Sequence, residues 1–323
     1  MQCLALLQLL IRLPKYPLKE LQDLNTPVII VSSKLDLQPI SQQAAKLLDD
    51  LKGLPTVAVS AKTGEGMDQL RDTIVRQIPE SHISPPTIIG DLVPAGQLAV
   101  LVVPIDKEAP KGRLILPQVQ TIRDLLDNDA ASLVVKEREL APMLNRLKQA
   151  PAIVVTDSQA FLKVAADTPN EIPMTSFSIL FARYKGDLPE LVRGAATIET
   201  LMPGDRVLIA ESCTHHPIAD DIGRVKIPRW LEQYVGGKLQ IDVFAGHDFP
   251  ENIAEYKVII HCGACVTNRR EMLVRIMKAQ RVGIPITNYG LAIAYTLGIF
   301  ERALAPFPYA YEIYRDIVAE ARS

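Results

Sequence analysis

Two short clusters of cysteine and histidine are the residues of this sequence best suited to chemistry. Cys213 and His215 form the first cluster, and His261, Cys262 and Cys265 form the second. Thiolate and imidazole groups are ligands that zinc and iron-sulfur centres take from proteins. Each cluster follows an apolar run rich in β-branched residues, which predicts a buried strand. If both strands are parallel members of one sheet, the clusters meet at its carboxyl edge, where open α/β sheets bind their ligands.

Several kinds of site use these residue types. In an iron-sulfur cluster, Cys213, Cys262 and Cys265 would each bind one iron, and the fourth iron would take a histidine, water or an exogenous ligand. A tetrahedral zinc site of three cysteines and one histidine is the main chemical alternative, although the histidine spacing of zinc fingers is absent. A thiol–disulfide role for Cys262 and Cys265 leaves the other residues unexplained. Buried cysteines and core histidines without chemistry are a further alternative.

The residues around the two clusters predict the elements that hold them. Asn268 is the expected N-cap of a helix after the second cluster, and Gly283 is expected to end that helix. Strands alternate with helices, which favours a parallel sheet with right-handed crossovers. The predicted strands are 206–210, 239–244, 256–260 and 284–287, and the predicted helices are 229–235, 268–281 and 291–304.

Residues 90–195 show the same alternation. The predicted strands are 98–105, 132–135 and 152–155, and the predicted helices are 117–126, 140–148, 159–166 and a longer stretch from 178 to about 196. We expect residues 90–195 to form a homodimer interface, because this block contains no plausible catalytic constellation and its segment 177–184 carries more apolar surface than one buried stripe needs. The mixed charge run at 106–111 is expected to be a solvated face.

The beginning of the chain predicts a third α/β block. Its predicted strands are 28–31 and 56–59, and its predicted helices are 41–51 and 67–77. The apolar segment 1–13 lacks the basic start and cleavage site of a signal peptide, so we expect an amphipathic or buried helix there. Proline and polar residues at 78–86 predict a linker.

Composition is that of an ordinary globular protein. The 323 residues are 48% hydrophobic and 22% charged, with a net charge of −2 and 5% aromatic residues, which argues against a nucleic-acid partner. The sequence has no apolar run of the ~20 residues that a membrane span needs. Cysteines that cluster with histidines favour a reducing compartment, so we expect a cytoplasmic protein. The predicted fold class is α/β, with three parallel-sheet blocks at 1–80, 81–195 and 196–323.

The first block also contains two short motifs after its predicted strands. Lys34 and Asp36 belong to a Ser-Lys-x-Asp sequence, and Ser60 and Ala61 begin Ser-Ala-Lys. In this order they resemble the guanine-recognition motifs of P-loop GTPases, in which the aspartate pairs with the N–H donors of guanine. Ser33 stands where that family has asparagine or threonine. The sequence contains no G-x-x-x-x-G-K-[ST] phosphate loop, so we expect no GTP hydrolysis and at most very weak GTP binding.

These motifs, together with four longer stretches, resemble the HydF family of GTPases that mature FeFe hydrogenase. The stretches are 103–117, 156–161, 176–186 and 285–290. The resemblance implies a GTPase domain, a dimerisation domain and a cluster-binding domain, which correspond to the three predicted blocks. The phosphate-binding half of the GTPase domain, which precedes the guanine motifs in that family, has no counterpart in this sequence.

The resemblance also implies a scaffold and carrier function. A 4Fe-4S cluster would hold a di-iron precursor made with two radical-SAM maturases, and the precursor would pass to the apo-hydrogenase. The protein would act as a homodimer or a higher oligomer. A zinc- or nucleotide-dependent enzyme on a doubly wound sheet is the alternative. The implied cluster ligands are Cys213, Cys262 and Cys265, with His215 or His261 at the fourth iron, and the implied guanine contacts are Lys34, Asp36, Ser60 and Ala61.

Overall fold

The protein consists of two compact α/β units in the computed structural model. The structure describes residues 2–6, 27–37, 53–77, 87–105, 114–212, 221–246, 249–250, 252–265 and 267–322. The first unit comprises residues 1–86 and the second comprises residues 87–323. Within the described residues there are three sheets, and every strand pair in them is parallel, so the predicted fold class is confirmed.

The first unit contains a small parallel sheet and a helix. Strands β1 (Gln2–Leu6), β2 (Val28–Ser32) and β3 (Thr56–Ala58) pair in the order β1-β2-β3, and helix α1 spans Met67–Gln77. A buried cluster of Ile29, Val31, Val57 and Val59 packs against the apolar face of α1. The predicted helix 41–51 and the predicted linker 78–86 lie entirely outside the described residues.

The expected helix at the start of the chain is wrong for its described part. Residues 2–6 form β1, which pairs along its length with Val28–Ser32. A short apolar run cannot be assigned to helix or buried strand by its pattern alone, because both bury the whole segment. The open edge of β2 decides in favour of a strand, since it offers backbone partners to the segment.

The second unit begins with a four-stranded parallel sheet in the order β5-β4-β6-β7. Its strands are β4 (Leu98–Val102), β5 (Ala131–Val135), β6 (Ile153–Thr156) and β7 (Met174–Ser176). Its helices are α2 (Leu116–Asp127), α3 (Leu140–Leu144), α4 (Phe161–Asp167), α5 (Phe177–Lys185) and α6 (Leu188–Ala196). Short 3-10 helices lie at Gly90–Leu92, Ser158–Ala160 and Thr197–Thr200.

A second four-stranded parallel sheet follows in the order β11-β10-β8-β9. Its strands are β8 (Arg206–Glu211), β9 (Gln240–Ala245), β10 (Val258–His261) and β11 (Ile286–Asn288). Its helices are α7 (Ile227–Val235), α8 (Arg269–Arg281), α9 (Tyr289–Thr296), α10 (Phe300–Leu304) and α11 (Pro308–Arg322). A π-helical turn at Ile222–Lys226 precedes α7, and a 3-10 helix lies at Ile253–Glu255.

Both sheets of the second unit have the same strand order. In each sheet the first strand lies between the second and the third, so the direction of winding reverses between the first and third strands. The reversal falls between β4 and β6 in one sheet and between β8 and β10 in the other. Ligands of doubly wound sheets bind outside the carboxyl ends of the strands at such a point. The first cysteine-histidine cluster follows β8 in sequence, and the second begins at His261, the last residue of β10.

Two of the predicted long helices are each divided in two, and the predicted helix 140–148 already ends at Leu144. The predicted helix from 178 to about 196 is two helices, because the chain turns at Gly186 and Asp187 caps the second one by accepting a hydrogen bond from the Glu190 amide at 3.1 Å. The predicted helix 291–304 likewise ends at Thr296 and resumes at Phe300, since Gly298 has a φ of 71°. Strand β7 and helix α11 are not among the elements predicted from the sequence.

The apolar residues of helix α5 are covered within the chain, so they do not supply the exposed surface of the homodimer interface that is expected in residues 90–195. Phe177, Ile179, Leu180 and Phe181 are all buried within the chain. They belong to one continuous core that extends through both sheets of the second unit. Because α5 packs between the sheets, its apolar surface is covered from two sides within a single chain. The predicted charge run at 106–111 lies outside the described residues.

Candidate metal centre

The carboxyl ends of β8 and β10 lie side by side. His261 is paired with Ala210 in the parallel register, and the Cys262 amide donates to the Ala210 carbonyl at 2.9 Å. This pairing places Cys262 next to Ser212, the residue that precedes Cys213 in sequence. Cys213 and His215 themselves lie outside the described residues. The two predicted strands therefore bring together the two chain segments that carry the clusters.

The sulfur of Cys262 receives polar contacts from Ser212. The Ser212 amide donates to Cys262 Sγ at 3.3 Å, and Ser212 Oγ lies 3.1 Å from the same sulfur. Thr267 Oγ1 donates to Ser212 Oγ at 2.8 Å, which leaves the serine hydroxyl able to donate its own proton to the sulfur. Hydrogen bonds to sulfur stabilise the thiolate and tune iron-sulfur centres. The buried Cys262 thus has surroundings that fit a metal-bound thiolate.

Cys265 ends a tight loop that begins at Cys262. Ala264 between them has a φ of 53°, an uncommon conformation for a residue with a side chain. Burial raises the pKa of the Cys265 thiol to about 11, and the nearby Cys262 raises it as well, whereas Lys185 opposes them. A thiol with so high a pKa is a poor nucleophile at neutral pH, which disfavours Cys265 as the attacking thiol of a disulfide exchange. A metal ion displaces the proton from such a thiol on binding.

His261 is fully buried, and both of its ring nitrogens have partners. Nδ1 lies 2.7 Å from the Cys262 carbonyl oxygen, so the ring donates its proton there. Nε2 then accepts a hydrogen bond from Arg275 Nη1 at 2.9 Å. This tautomer is assigned from the hydrogen-bond network. Iron could bind His261 in this arrangement only if one of the two hydrogen bonds were broken.

The first sheet of the second unit faces the cysteine loop with its own carboxyl edge. Ser178, just after β7, accepts a hydrogen bond from the Gly290 amide at 3.1 Å, and its backbone carbonyl accepts one from Asn288 Nδ2 at 2.9 Å. A Cβ on Gly290 would lie 2.6 Å from Cβ of Ser178, so this close approach requires glycine. Lys226 donates to Gln159 Oε1 at 2.7 Å and joins the loops after β8 and β6.

Lys185 also connects the two sheets of the second unit. Its Nζ atom donates to the Ala264 carbonyl at 2.8 Å and to the Cys265 carbonyl at 2.9 Å. The side chain comes from the last turn of α5 and is buried. No local sequence pattern indicates this contact, because the partners are far apart in sequence and a lysine belongs to no metal-ligand motif.

The described part of the chain does not contain a complete metal site. Among residues 2–322, apart from the gaps given above, no group of three or more histidine, cysteine or acidic side chains is arranged to hold a metal ion. Cys262 and Cys265 come together in one loop. The other two predicted ligands, Cys213 and His215, belong to a segment outside the described residues, so the full ligand set stays a prediction.

The guanine motifs of the first unit also lie close together. Ser60 Oγ donates to Asp36 Oδ1 at 2.6 Å, and this hydrogen bond lowers the pKa of the Asp36 carboxyl. The Leu35 amide donates to the Val59 carbonyl at 3.2 Å, which holds the loops after β2 and β3 side by side. Lys34 and Ala61 are exposed in these loops. The sequence motifs predicted the proximity of the loops but not the direct Ser60–Asp36 hydrogen bond.

Two family models match the second unit over most of its length. The model described as the hydrogen maturase F dimerization domain matches residues 88–186. The model described as the hydrogen maturase F tetramerization domain matches residues 189–306. Together with the paired α/β sheets, these matches assign the second unit to the dimerization and tetramerization domains of hydrogen maturases. The chain belongs to the hydrogen maturase F family, HydF.

Other comparisons are weaker. A curated relative, GTPase Der of Dinoroseobacter shibae, is 44% identical over 57 residues, which cover 15% of this chain and only 12% of that protein. An NtrC family transcriptional regulator from Clostridium acetobutylicum has a TM-score of 0.20 at 11% identity, over 64% of this chain and 98% of that one. Aspartate transcarbamoylase from Trypanosoma cruzi in complex with phosphate has a TM-score of 0.22 at 9% identity, over 77% of this chain and 88% of that one. Among the described residues, no helix has the length and apolar character of a membrane span.

Proposed function

We propose that the chain is a scaffold that holds a 4Fe-4S cluster and carries a di-iron precursor to apo-hydrogenase. The observation that supports this most is the contact between Ser212 and the sulfur of Cys262. It brings the segment that leads into Cys213 against the Cys262–Cys265 loop at the switch point of a parallel sheet. Membership in the hydrogen maturase F family supports the role in hydrogenase maturation.

In this proposal three thiolates hold the cluster. Cys213, Cys262 and Cys265 would each bind one iron, and Ser212 would stabilise the Cys262 thiolate by its hydrogen bonds. When bound, the cluster would supply a fourth iron with an exchangeable position at which the di-iron cargo can be anchored. We assign this position to His215 or an exogenous ligand in preference to His261, because both ring nitrogens of His261 are already hydrogen-bonded.

The cargo would come from and go to other proteins. By the family resemblance, two radical-SAM maturases would help to build the precursor with its carbon monoxide and cyanide ligands, and the apo-hydrogenase would receive it. The resident cluster would remain on the scaffold while the di-iron substrate is transferred. The site would therefore need to be closed enough to keep three iron–thiolate bonds and open enough to exchange one ligand.

We propose that the dimer forms through the β5 edge of the first sheet of the second unit. Leu116, Val119 and Leu126 lie on one side of α2 and are 46%, 46% and 58% exposed, and Val134 on β5 is 42% exposed. Strand β5 is at the edge of its sheet in the described structure. An apolar helix face beside an open strand edge is self-complementary under two-fold symmetry. The match to a dimerization domain covers all four residues.

We further propose that the first unit retains part of a guanine-binding site. Asp36 would accept hydrogen bonds from guanine, and the Ser60 hydroxyl would hold its carboxylate in place. The short match to GTPase Der is consistent with this role. Guanosine should give a stronger saturation-transfer NMR signal with the protein than adenosine does. Asp36→Ala should abolish this difference. Equal signals from both nucleosides would contradict the assignment.

Metal and sulfide analysis of anaerobically purified and reconstituted protein tests the main proposal. We expect about four irons and four sulfides per chain and a broad brown absorbance that reductant bleaches, as for a 4Fe-4S cluster. A colourless protein with stoichiometric zinc and no sulfide would instead support the zinc alternative. Retention of the di-iron cargo and its transfer to apo-hydrogenase are then measured by the hydrogenase activity that the loaded protein restores.

A further inference from the structure

Lys185 connects helix α5 to the loop that carries two of the proposed cluster ligands. Its Nζ atom lies 2.8 Å from the Ala264 carbonyl oxygen and 2.9 Å from that of Cys265. The side chain is 8% exposed and lies against Phe181, with Nζ 5.3 Å from the ring centroid. A lysine is rarely buried without good partners, so its position in the core reflects a specific arrangement.

The loop that Lys185 contacts is conformationally demanding. Ala264 has a left-handed φ of 53°, which is an unfavourable conformation for a residue with a Cβ atom. In this conformation two successive carbonyls face α5, and the amino group of Lys185 donates a hydrogen bond to each of them. Loss of the amino group would leave these carbonyls without this donor and favour relaxation of the loop between the two cysteines.

The charge of Lys185 is also placed to act on a cluster. The amino group bonds directly to the backbone of Cys265, and burial keeps water from screening it. Three thiolates give a 4Fe-4S cluster a net negative charge, which becomes more negative on reduction. Net charge and hydrogen bonding around the sulfurs are among the factors that set the potentials of such clusters. A fixed positive charge at this position stabilises the reduced state more than the oxidised state.

We propose that Lys185 is a positioning residue of the metal centre that fixes the Cys262–Cys265 loop and raises the reduction potential of the bound cluster. This inference rests on the proposed cluster-binding function. It assigns a role at the metal centre to a side chain of the dimerization segment, which reaches the centre from the opposite sheet. It also makes the cluster site dependent on the packing of α5 between the two sheets.

Potentiometric titration of the reconstituted chain, followed by EPR, tests the inference. Lys185→Gln keeps an N–H donor without the charge, Lys185→Met removes both, and Lys185→Arg keeps the charge. Arg302→Met is the matched control, because Arg302 also donates to backbone carbonyls, those of Ala165, Thr168 and Pro169. We expect more negative midpoint potentials for Lys185→Gln and Lys185→Met, and values close to wild type for Lys185→Arg and Arg302→Met.

The outcomes separate this inference from the function on which it rests. Wild-type protein that takes up no iron-sulfur cluster contradicts the proposed function itself. If cluster-loaded wild type and Lys185→Gln have the same reduction potential and iron content, the role of Lys185 is contradicted and the proposed function is not. If the variants without the charge lose iron while Lys185→Arg and Arg302→Met retain it, the positioning role is supported. Equal loss of iron in Arg302→Met would show general destabilisation and would overturn it.

Discussion

Arg275 donates a hydrogen bond to Nε2 of His261 at 2.9 Å in the interior of the second unit. Arg275 is 2% exposed and also donates to the Gly246 carbonyl. The histidine is therefore an acceptor for a buried cation, and its other nitrogen is bonded to the backbone of Cys262. In the proposed metal-binding motif, His261 thus holds the structure around the cysteine loop through both of its ring nitrogens.

The first prediction follows from this pair. His261→Ala should lower the free energy of unfolding of the apoprotein by about 1–3 kcal/mol, because it leaves a buried donor of Arg275 without its acceptor. His261→Gln, which keeps a polar side chain that can accept a hydrogen bond, should lose less stability and keep its iron after reconstitution. Urea denaturation and iron analysis give the two quantities. A stable His261→Gln protein that has lost one iron per cluster would identify His261 as a ligand.

A second prediction concerns the proposed dimer interface. Leu126→Glu should convert the dimer into a monomer, since it places a charge in an apolar face of α2 that pairs across the two-fold axis. Leu162→Glu is the control, because Leu162 is 54% exposed on α4, away from the β5 edge. Light scattering on the full chain measures the change. Unaltered mass for Leu126→Glu would place the dimer contact elsewhere.

A third prediction concerns pH. Burial by itself would raise the pKa of Asp91, but the hydrogen bond and charge of Arg183 outweigh it and hold the pKa below its ordinary value of 3.8. A carboxyl whose pKa is lower in the folded state stabilises the fold above its unfolded pKa and loses this contribution as the pH falls through the folded value. Asp91→Asn should therefore reduce the loss of stability below about pH 4, by at most about 1 kcal/mol because the pair is partly exposed. Thermal unfolding of wild type and Asp91→Asn across that pH range measures the difference. The same pH dependence of stability in both proteins would refute the assignment.

A fourth prediction tests the contact between the two carboxyl edges. Gly290→Ala should destabilise the second unit by about 1–3 kcal/mol, because the new Cβ would lie 2.6 Å from Cβ of Ser178. Ser178→Gly in the same chain removes the clashing side chain and should restore part of the loss. If the double variant loses as much unfolding free energy as the two single variants together, the side chains at 178 and 290 do not clash.

Much of the fold can be predicted from the sequence because the strands that hold the site are short apolar runs with clear ends. The strands after which the clusters occur, and the Asn268 cap with its hydrogen bond from the Glu271 amide at 2.9 Å, follow from local patterns. Burial of α5 could not be predicted in the same way. A helix that is apolar on most sides has the same sequence whether a second chain or a second sheet covers it.

The surroundings of the site depend on contacts between distant residues and were missed for that reason. Lys185 and Arg275 reach the cysteine loop and His261 from two different helices, and neither belongs to a recognisable motif. Ser212 precedes Cys213 directly, yet its contact with the Cys262 sulfur depends on the register of β8 and β10. The ligand types are visible in the sequence, whereas the groups that orient them become visible only when the sheets are assembled.

Iron and sulfide content of the four single cysteine-to-alanine variants is the most direct test of the central claim. The chain has four cysteines, and Cys3 lies in the first unit and is not one of the proposed ligands, so Cys3→Ala is the control. After anaerobic reconstitution, we predict that Cys213→Ala, Cys262→Ala and Cys265→Ala each lose most of their iron and sulfide while Cys3→Ala equals wild type. Full retention of iron and sulfide in any two of the three proposed ligand variants would contradict the account.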